Sequence, residues 1–381
     1  MITPGTATDG SVLEARENNY LAAVAAHSSG SPIGLAFVDL STGEFQSTEF
    51  SGSDASEALH DELQLVHPRE TLLPRPPQLF ETAKTSLLEG AGGVESRLED
   101  WIFHRDYAER ILREQFGVAE LTGFGLDDHP QALAAAGAIV HYLRENSARS
   151  GEAAATKSLG SQPCIVEALQ HLDRVRYYEQ SNALVLDPVT VRNLELLTPI
   201  FTEETSRSGP VTLVAALDAT VTGMGARLLR SWILRPLIDR DTIDSRLEAV
   251  AHFVQQTVVR GEIRKELRGI QDLERLTSRI TLGLAFPREL VALRKSLAQL
   301  PVLRNFVTPP PVGGSLLLRR LHAEIEELTD VRERLERSIA DEPPALATEP
   351  GMIRSGYHGE LDELRNLSQH SKQIIAAMEE R

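Results

Sequence analysis

The sequence contains a single cysteine, Cys164, and few aromatic residues. A lone cysteine cannot form an internal disulfide bond and excludes a metal site built from several cysteines, so a reducing cytoplasm is the compartment that fits best. Because only 5% of the residues are aromatic, the core must consist mostly of Leu, Ala, Val and Ile, a composition that suits helices. No apolar run approaches the length of a membrane span, and the N-terminus lacks a signal-peptide pattern.

Motifs that would indicate catalytic chemistry are also missing from the sequence. No Gly-x-x-x-x-Gly-Lys-Ser/Thr segment occurs, so there is no phosphate-binding loop of that type. The histidines, His141 among them, show no metal-ligand spacing. The sequence therefore predicts no catalytic, cofactor-binding or metal-binding residue in this chain, and no enzyme activity of its own.

The net charge of −16 argues against a free-standing nucleic-acid binder, because phosphate binding requires a positive surface. The charge is uneven: residues 221–340 hold 20 Lys and Arg against 15 Asp and Glu, and the rest of the chain holds 19 against 40. The net charges of the two parts are therefore +5 and −21. This pattern favours solvated helix faces with ion pairs four residues apart, and a groove that accepts a DNA backbone is the alternative.

The first 146 residues predict an α/β domain within a chain whose length of 381 residues predicts two or three domains. Alternating and apolar segments predict strands, and Ser41-Thr42-Gly43 predicts a hairpin turn between two of them. The predicted strands are Tyr20–His27, Ile33–Leu40, Glu44–Phe50 and Thr71–Leu73, and the predicted helices are Ala55–Val66, Leu79–Leu88, Tyr107–Gln115 and Pro130 to about Asn146.

Small polar residues over 147–160 predict a linker, and the chain after Val189 is predicted to be helical almost to its end. Before that, Tyr177–Asp187 is predicted to hold one more pair of strands. Two apolar repeats, with spacings of three or four residues, predict the buried faces of long helices. These repeats are Ile263, Leu267, Ile270, Leu273, Leu276 and Ile280, and Leu317, Leu321, Ile325, Leu328, Val331, Leu335 and Ile339.

The segment Leu217–Leu237, here called the signature segment, is the most informative part of the sequence. Its Thr220, Thr222, Gly223 and Gly225 predict a tight turn and a helix start, and the helix carries apolar and arginine residues on different faces. The signature segment resembles the core-domain signature of the MutS family of DNA mismatch repair proteins. Further similarity to this family follows in order along the chain at Ile2–Thr6, Leu13–Ala23, Phe37–Phe45, Gln115–Gly117, Gly123–Gly125, Arg192–Leu197, Asp272–Leu276, Pro287–Leu290 and Ile353–Asp362.

The resemblance implies a multidomain α/β plus mainly α fold, in which a ribonuclease-H-like connector domain precedes a helical core (lever) domain. It also implies a segment that lacks the family's mismatch-recognition domain, most of its clamp and its ATPase domain. The implied boundaries are 1–16 for an extended N-terminal segment, 17–146 for the connector, 147–160 for the linker, 161–350 for the core and 351–381 for the start of a lever helix.

The resemblance further implies a parent protein that binds mismatched double-stranded DNA, uses ATP and Mg²⁺, forms a homodimer and works with the partner MutL. Such a protein would be cytoplasmic and associated with the nucleoid. This segment would couple the ATPase to the DNA clamp and would dock MutL through its connector. Arg110, Ile111 and Arg113 are the candidate MutL contacts, and a solvated helix face is the alternative.

Two other functions stay open on the sequence. The ribonuclease-H-like alternative is a metal-dependent nuclease that uses Asp39, with Asp61, Glu62, Asp127 and Asp128 as the other available carboxylates. The place of Asp39 in an Asp-Leu-Ser-Thr-Gly segment favours a turn-capping role instead. The remaining alternative is a stand-alone helical adaptor from a shortened gene.

Aromatic residues beside arginines suggest nucleic-acid contacts only weakly. Tyr177 and Tyr178 lie next to Arg174 and Arg176, a combination that fits base stacking but is better explained by the edge of a sheet. Trp101 is interpreted as packed against the protein rather than stacked on a base.

Overall fold

The chain divides into two compact units, of which the first holds residues 1–248 and 274–284 and the second holds 249–273 and 285–381. The predicted helix Leu79–Leu88 and Cys164 lie outside the described residues. Among the residues that are described, no helix combines the length and the apolar content of a membrane span. The computed structural model describes residues 3–10, 12–27, 31–75, 92–155, 169–200, 212–308 and 315–368.

The first unit is built around a six-stranded mixed sheet. The strand order is β5-β4-β1-β2-β3-β6, in which β2 pairs antiparallel with β1 and β3, and the other pairs are parallel. β1 and β2 are buried over nearly their whole length, which is typical of strands covered on both faces. The strands are β1 (Tyr20–Ala26), β2 (Ile33–Asp39), β3 (Glu44–Phe50), β4 (Glu70–Arg75), β5 (Val94–Glu99) and β6 (Arg176–Tyr177).

Helices cover both faces of this sheet. Helix α1 (Ala55–Val66) packs on one face, and α2 (Arg105–Phe116) and α3 (Pro130–Ala155) pack on the other. Successive side chains of β1 point to opposite faces of the sheet. Leu21 belongs to the core formed with α2 and α3, and Ala22 belongs to the core formed with α1. This arrangement confirms the predicted α/β fold of the N-terminal part.

Three local features differ from the sequence predictions. Strand β5 was not predicted, because it is a partly exposed edge strand whose residues Val94–Glu99 lack an apolar pattern. Helix α3 continues to Ala155, into the predicted linker, since the small residues there are compatible with a helix. The predicted pair of strands in Tyr177–Asp187 is wrong: the chain forms the two-residue β6 and then a 3-10 turn at Gln180–Asn182.

The rest of the described chain is helical, as predicted. Residues 359–368 are helical as well, so the helix predicted near Tyr357–Glu360 is present. The helices are α4 (Pro188–Asn193), α5 (Leu213–Leu217), α6 (Gly223–Leu234), α7 (Arg240–Gln255), α8 (Thr257–Leu267), α9 (Leu273–Thr281), α10 (Pro287–Leu297), α11 (Leu300–Phe306), α12 (Leu316–Glu324) and α13 (Thr329–Ser338).

Each of the two long apolar repeats is divided between two helices instead of one. The first spans α8 and α9, and the second spans α12 and α13, which are separated at Leu328 with a φ of 44°. Leu321, Leu328 and Val331 are exposed, so the predicted buried face is wrong at these positions. A helical period marks one face of a helix but does not determine what covers that face.

Candidate functional site

The signature segment folds as predicted, into a tight turn followed by a helix start. The backbone N and the hydroxyl of Thr220 donate to Asp218 Oδ1 at 3.0 and 2.5 Å. At the start of α6, Gly225 N donates to the Thr222 hydroxyl at 3.1 Å, which caps the helix. Burial works to raise the pKa of Asp218, but the hydrogen bonds from Thr220 and the adjacent Arg16 guanidinium outweigh it and lower that pKa.

Arginines of α6 and α9 bind backbone carbonyl oxygens of the N-terminal segment. Arg227 Nη1 donates to Ala15 O at 2.9 Å, and Arg275 Nη2 donates to Glu14 O at 3.0 Å and to Glu17 O at 2.8 Å. Arg227 is buried. Since these guanidinium groups are bound within the first unit, they lend no support to the alternative of a DNA-binding groove.

Exposed basic residues elsewhere in 221–340 agree with the predicted ion pairs four residues apart. Arg240 Nε lies 3.4 Å from Asp244 Oδ2 on α7, and Arg320 Nε lies 2.7 Å from Glu324 Oε1 on α12. Pairs of this kind on an exposed helix face contribute little to stability. They account for part of the local basic charge without a nucleic-acid partner.

A polar joint around the buried Glu62 connects the end of the signature segment to the sheet. Arg235, directly after α6, forms an ion pair with Glu62 of α1, and its guanidinium carbon lies 4.4 Å from the ring centre of Tyr178. Glu62 also accepts hydrogen bonds from the Tyr178 hydroxyl at 2.7 Å and from Gln180 Nε2 at 3.2 Å. Glu62 is only 4% exposed, so α1 presents a carboxylate toward the interior at this position.

The ionisation of this joint is set by burial and by the neighbouring charges. Burial, and then the charge of Glu62, raise the pKa of Tyr178 well above its usual value, so its hydroxyl stays protonated and donates. Burial works to lower the pKa of Arg235, but Tyr178 and Glu62 outweigh it and raise that pKa. Tyr178 is thus an internal residue beside the edge strand β6, which confirms the sheet-edge interpretation over base stacking.

Asp39 is fully buried and caps the β2–β3 turn. Its carboxylate accepts hydrogen bonds from Asn19 N at 3.1 Å, from Ser41 N at 2.9 Å and from the Ser41 hydroxyl at 2.7 Å. Its backbone oxygen accepts from Gly43 N at 2.8 Å. Within the described part of the chain, no three His, Cys, Asp or Glu side chains are grouped as metal ligands. The carboxylates named with Asp39 therefore do not form a nuclease centre there.

An exposed aromatic surface lies at the start of α2 and along α3, and is formed by Trp101, Tyr107, Arg110 and His141. The Trp101 side chain is 48% exposed, with its ring centre 4.8 Å from that of Tyr107 and 5.5 Å from that of His141. The Tyr107 hydroxyl and His141 Nδ1 form a hydrogen bond of 2.6 Å. The Arg110 guanidinium carbon lies 5.2 Å from the Tyr107 ring centre, and Arg110 has no ion-pair partner among the described residues.

The three predicted contact residues on α2 have different positions. Arg110 is exposed on the aromatic surface, and Arg113 Nη2 lies 2.5 Å from Glu109 Oε1. Ile111 is only 5% exposed and belongs to the core between α2, α3 and the sheet, so it is not part of the surface. Trp101 was interpreted as packed, but it is 48% exposed. Neither Trp101 nor His141 was predicted as a contact, because no sequence motif places them beside Arg110.

We expect the stability of the first unit to depend on pH through His141. Burial lowers the pKa of His141 below its ordinary value of 6.5. The unfolded chain therefore binds the proton more readily, and this part of the stability is present above about pH 6.5 and is lost as the pH falls below it. Unfolding in urea at pH 7.5 and pH 5.5 should show a larger loss for the unmodified chain than for His141→Gln. Equal losses would contradict this assignment.

Two family models match most of the chain, and named relatives match all of it. Residues 19–155 match the family model of MutS domain II, and residues 189–381 match that of MutS domain III. Relatives that are each named DNA mismatch repair protein MutS are 43% identical in Solibacter usitatus, 40% in Symbiobacterium thermophilum and 34% in Methanosarcina acetivorans. Each comparison covers 100% of this chain but only 40%, 40% and 41% of the relative. The chain thus spans about 40% of the length of these relatives.

Proposed function

Because the chain belongs to the MutS family of DNA mismatch repair proteins and carries its domains II and III, we propose that it is the connector and core part of an ATP-dependent protein that binds mismatched DNA. In this proposal the parent protein is a homodimer in the cytoplasm, associated with the nucleoid. ATP, Mg²⁺ and the mismatch bind to parts of the parent outside domains II and III. This segment is not an enzyme by itself.

The role proposed for this segment is mechanical coupling between the ATPase and the DNA clamp. The observation that carries it is the joint of Arg235, Glu62 and Tyr178, which connects the signature segment to the sheet through an ion pair and a hydrogen bond to the buried Glu62. Coupling between distant sites requires elements that move as rigid bodies. Helix α6 meets this requirement, since Thr222 caps its start and Arg235, directly after its end, is paired with the buried Glu62.

A chimera tests the proposed coupling. The matched segment of the Solibacter usitatus relative is replaced by this chain, and the ATP hydrolysis of the chimera is measured with matched and with mismatched DNA. We expect the mismatch to change the rate of ATP turnover in the chimera as it does in the unmodified relative. The coupling role would be contradicted by a folded chimera that binds mismatched DNA but hydrolyses ATP at the same rate with matched and with mismatched DNA.

We also propose that the aromatic surface is the docking site for MutL. Trp, Tyr and Arg are the residue types that most often dominate the binding energy of protein interfaces. Here they occur together, with an exposed indole and a guanidinium stacked on a tyrosine ring. Arg110→Ala and Trp101→Ala are each expected to weaken binding of MutL to the chain by about tenfold or more, as measured by titration calorimetry.

Arg240→Ala is the matched control for this docking test, because Arg240 is an exposed arginine of another helix. Its affinity for MutL should equal that of the unmodified chain. Ile111→Val is a second control, since Ile111 is buried and its substitution should change stability but not affinity. Full affinity in both Arg110→Ala and Trp101→Ala would exclude this surface as the docking site.

A further inference from the structure

The N-terminal segment before β1, here called the strap (residues 3–10 and 12–19), is anchored to β4 near Gly5 and continues into β1 at Tyr20. Gly5 N donates to Glu70 Oε2 at 3.2 Å, and Glu70 is buried at the start of β4. The other oxygen of Glu70 accepts from the Ser96 and Tyr142 hydroxyls, each at 2.6 Å. A Cβ atom at Gly5 would lie 2.9 Å from Glu70 Cβ, so only a glycine fits this position without displacement.

Residues 8–17 of the strap are held by α9 and α6. Arg279 Nη1 donates to Thr8 O at 3.3 Å, in addition to the bonds that Arg275 donates to Glu14 O and Glu17 O. These contacts join residues more than 250 positions apart in the sequence. Both arginines of α9 thus bind the strap through its backbone.

The position of α9 in the chain gives these bonds a particular consequence. Residues 274–284 belong to the first unit, although the chain on either side of them belongs to the second. The strap therefore binds α9, a short helix that lies mostly in the first unit and is flanked in the sequence by residues of the second unit. The strap also has charged contacts with the first unit, since Arg16 forms an ion pair with Asp218 and Glu17 Oε1 lies 3.4 Å from Arg230 Nη2.

We propose that the strap is a positioning element for coupling: through Arg275 and Arg279 it helps to hold α9 in the first unit, beside the ion pair of Arg227 with Glu274, and its release loosens α9. Arg275 and Arg279 are then positioning residues. Gly5 allows the strap to pack closely against Glu70 of the sheet. This proposal rests on the coupling function proposed above. It adds that a displacement of the strap at Gly5 is transmitted along the strap to α9.

Hydrogen exchange of the 381-residue chain tests the strap directly. We expect amides of 274–281 to exchange about tenfold faster or more in the Arg275→Met, Arg279→Met double variant, with β1–β3 unchanged. Gly5→Ala should have the same effect on 274–281, although the atoms nearest to a Cβ at Gly5 belong to Glu70 and Leu21 and not to α9. Gly10→Ala is the matched control, because a Cβ atom there meets nothing within 4 Å. Unchanged exchange of 274–281 in Gly5→Ala would overturn the proposal.

The same variants in the chimera separate this proposal from the coupling function itself. We expect the Arg275→Met, Arg279→Met chimera to bind mismatched DNA but to lose at least about fivefold of the mismatch effect on ATP turnover. A full mismatch effect in this variant would overturn the strap as a coupling element, even if its exchange were faster. If the unmodified chimera lacks a mismatch effect, the coupling function fails, and the exchange result still decides whether the strap positions α9.

Discussion

Glu62→Gln is expected to lower the free energy of unfolding of the first unit by about 3 kcal/mol, because it leaves the Arg235 guanidinium without its counter-charge in a largely buried place. Glu62 is almost completely buried, whereas the Arg235 side chain is 28% exposed. This partial exposure places the expected loss at the lower end of the range for broken buried ion pairs. Glutamine keeps the shape and can still accept from the Tyr178 hydroxyl, so the loss reports the charge. Urea unfolding followed by circular dichroism measures it.

The controls for this prediction lie on the same helix and across the pair. Glu57→Gln removes an exposed carboxylate of α1 and should change stability by less than about 0.5 kcal/mol. Combining Glu62→Gln with Arg235→Met should cost clearly less than the sum of the single losses, since both remove the same interaction. Additive losses would show that Glu62 and Arg235 do not interact as the structure indicates.

Gly137→Ala is expected to destabilise the first unit by about 1–3 kcal/mol, because α2 and α3 cross at this residue without room for a side chain. A Cβ atom at Gly137 would lie 2.4 Å from Ala108 Cβ and 2.6 Å from Ala108 Cα. In an open helix the same substitution stabilises by about 1 kcal/mol, so helix packing reverses the sign. Thermal unfolding of the variant and the unmodified chain distinguishes these signs.

Gly261→Ala is the matched control in a helix interior without such a crossing. Gly261 lies in α8, and a Cβ atom there would meet nothing within 4 Å. The substitution should therefore slow hydrogen exchange of the α8 amides, as expected from helix propensity alone. A stabilising effect of Gly137→Ala would mean that α2 and α3 do not approach as closely as the structure places them.

Local sequence patterns predicted the elements whose boundaries depend on neighbouring residues. Glu44–Phe50 and Ala55–Val66 have the predicted bounds, because turn residues and apolar periodicity lie within the elements themselves. The predicted turn at Thr220 and the helix start at Thr222 are confirmed for the same reason. Predictions that required knowledge of a distant neighbour were less accurate, as for the exposed side of α12 and α13.

The candidate site was predicted only in part. Of the predicted contacts on α2, Arg110 is exposed and its role stays a prediction, whereas Ile111 is buried in the core formed with α3 and the sheet. Glu62 had one usable signal: it stands among Leu59, Leu63 and Val66 on the apolar side of α1. A carboxylate at such a position indicates an internal partner, but the pattern does not identify Arg235, which is 173 residues away.

The sequence by itself determined the family, the α/β and helical halves of the chain, and the local turns, because residue identity and short-range spacing carry that information. Only the tertiary structure decided which charges are internal, where the aromatic surface lies and that the strap is held by Arg275 and Arg279. The acceptors in the strap are backbone carbonyl oxygens, which every residue has. Their role therefore depends on the tertiary fold, and the pattern of side chains in the sequence does not reveal it.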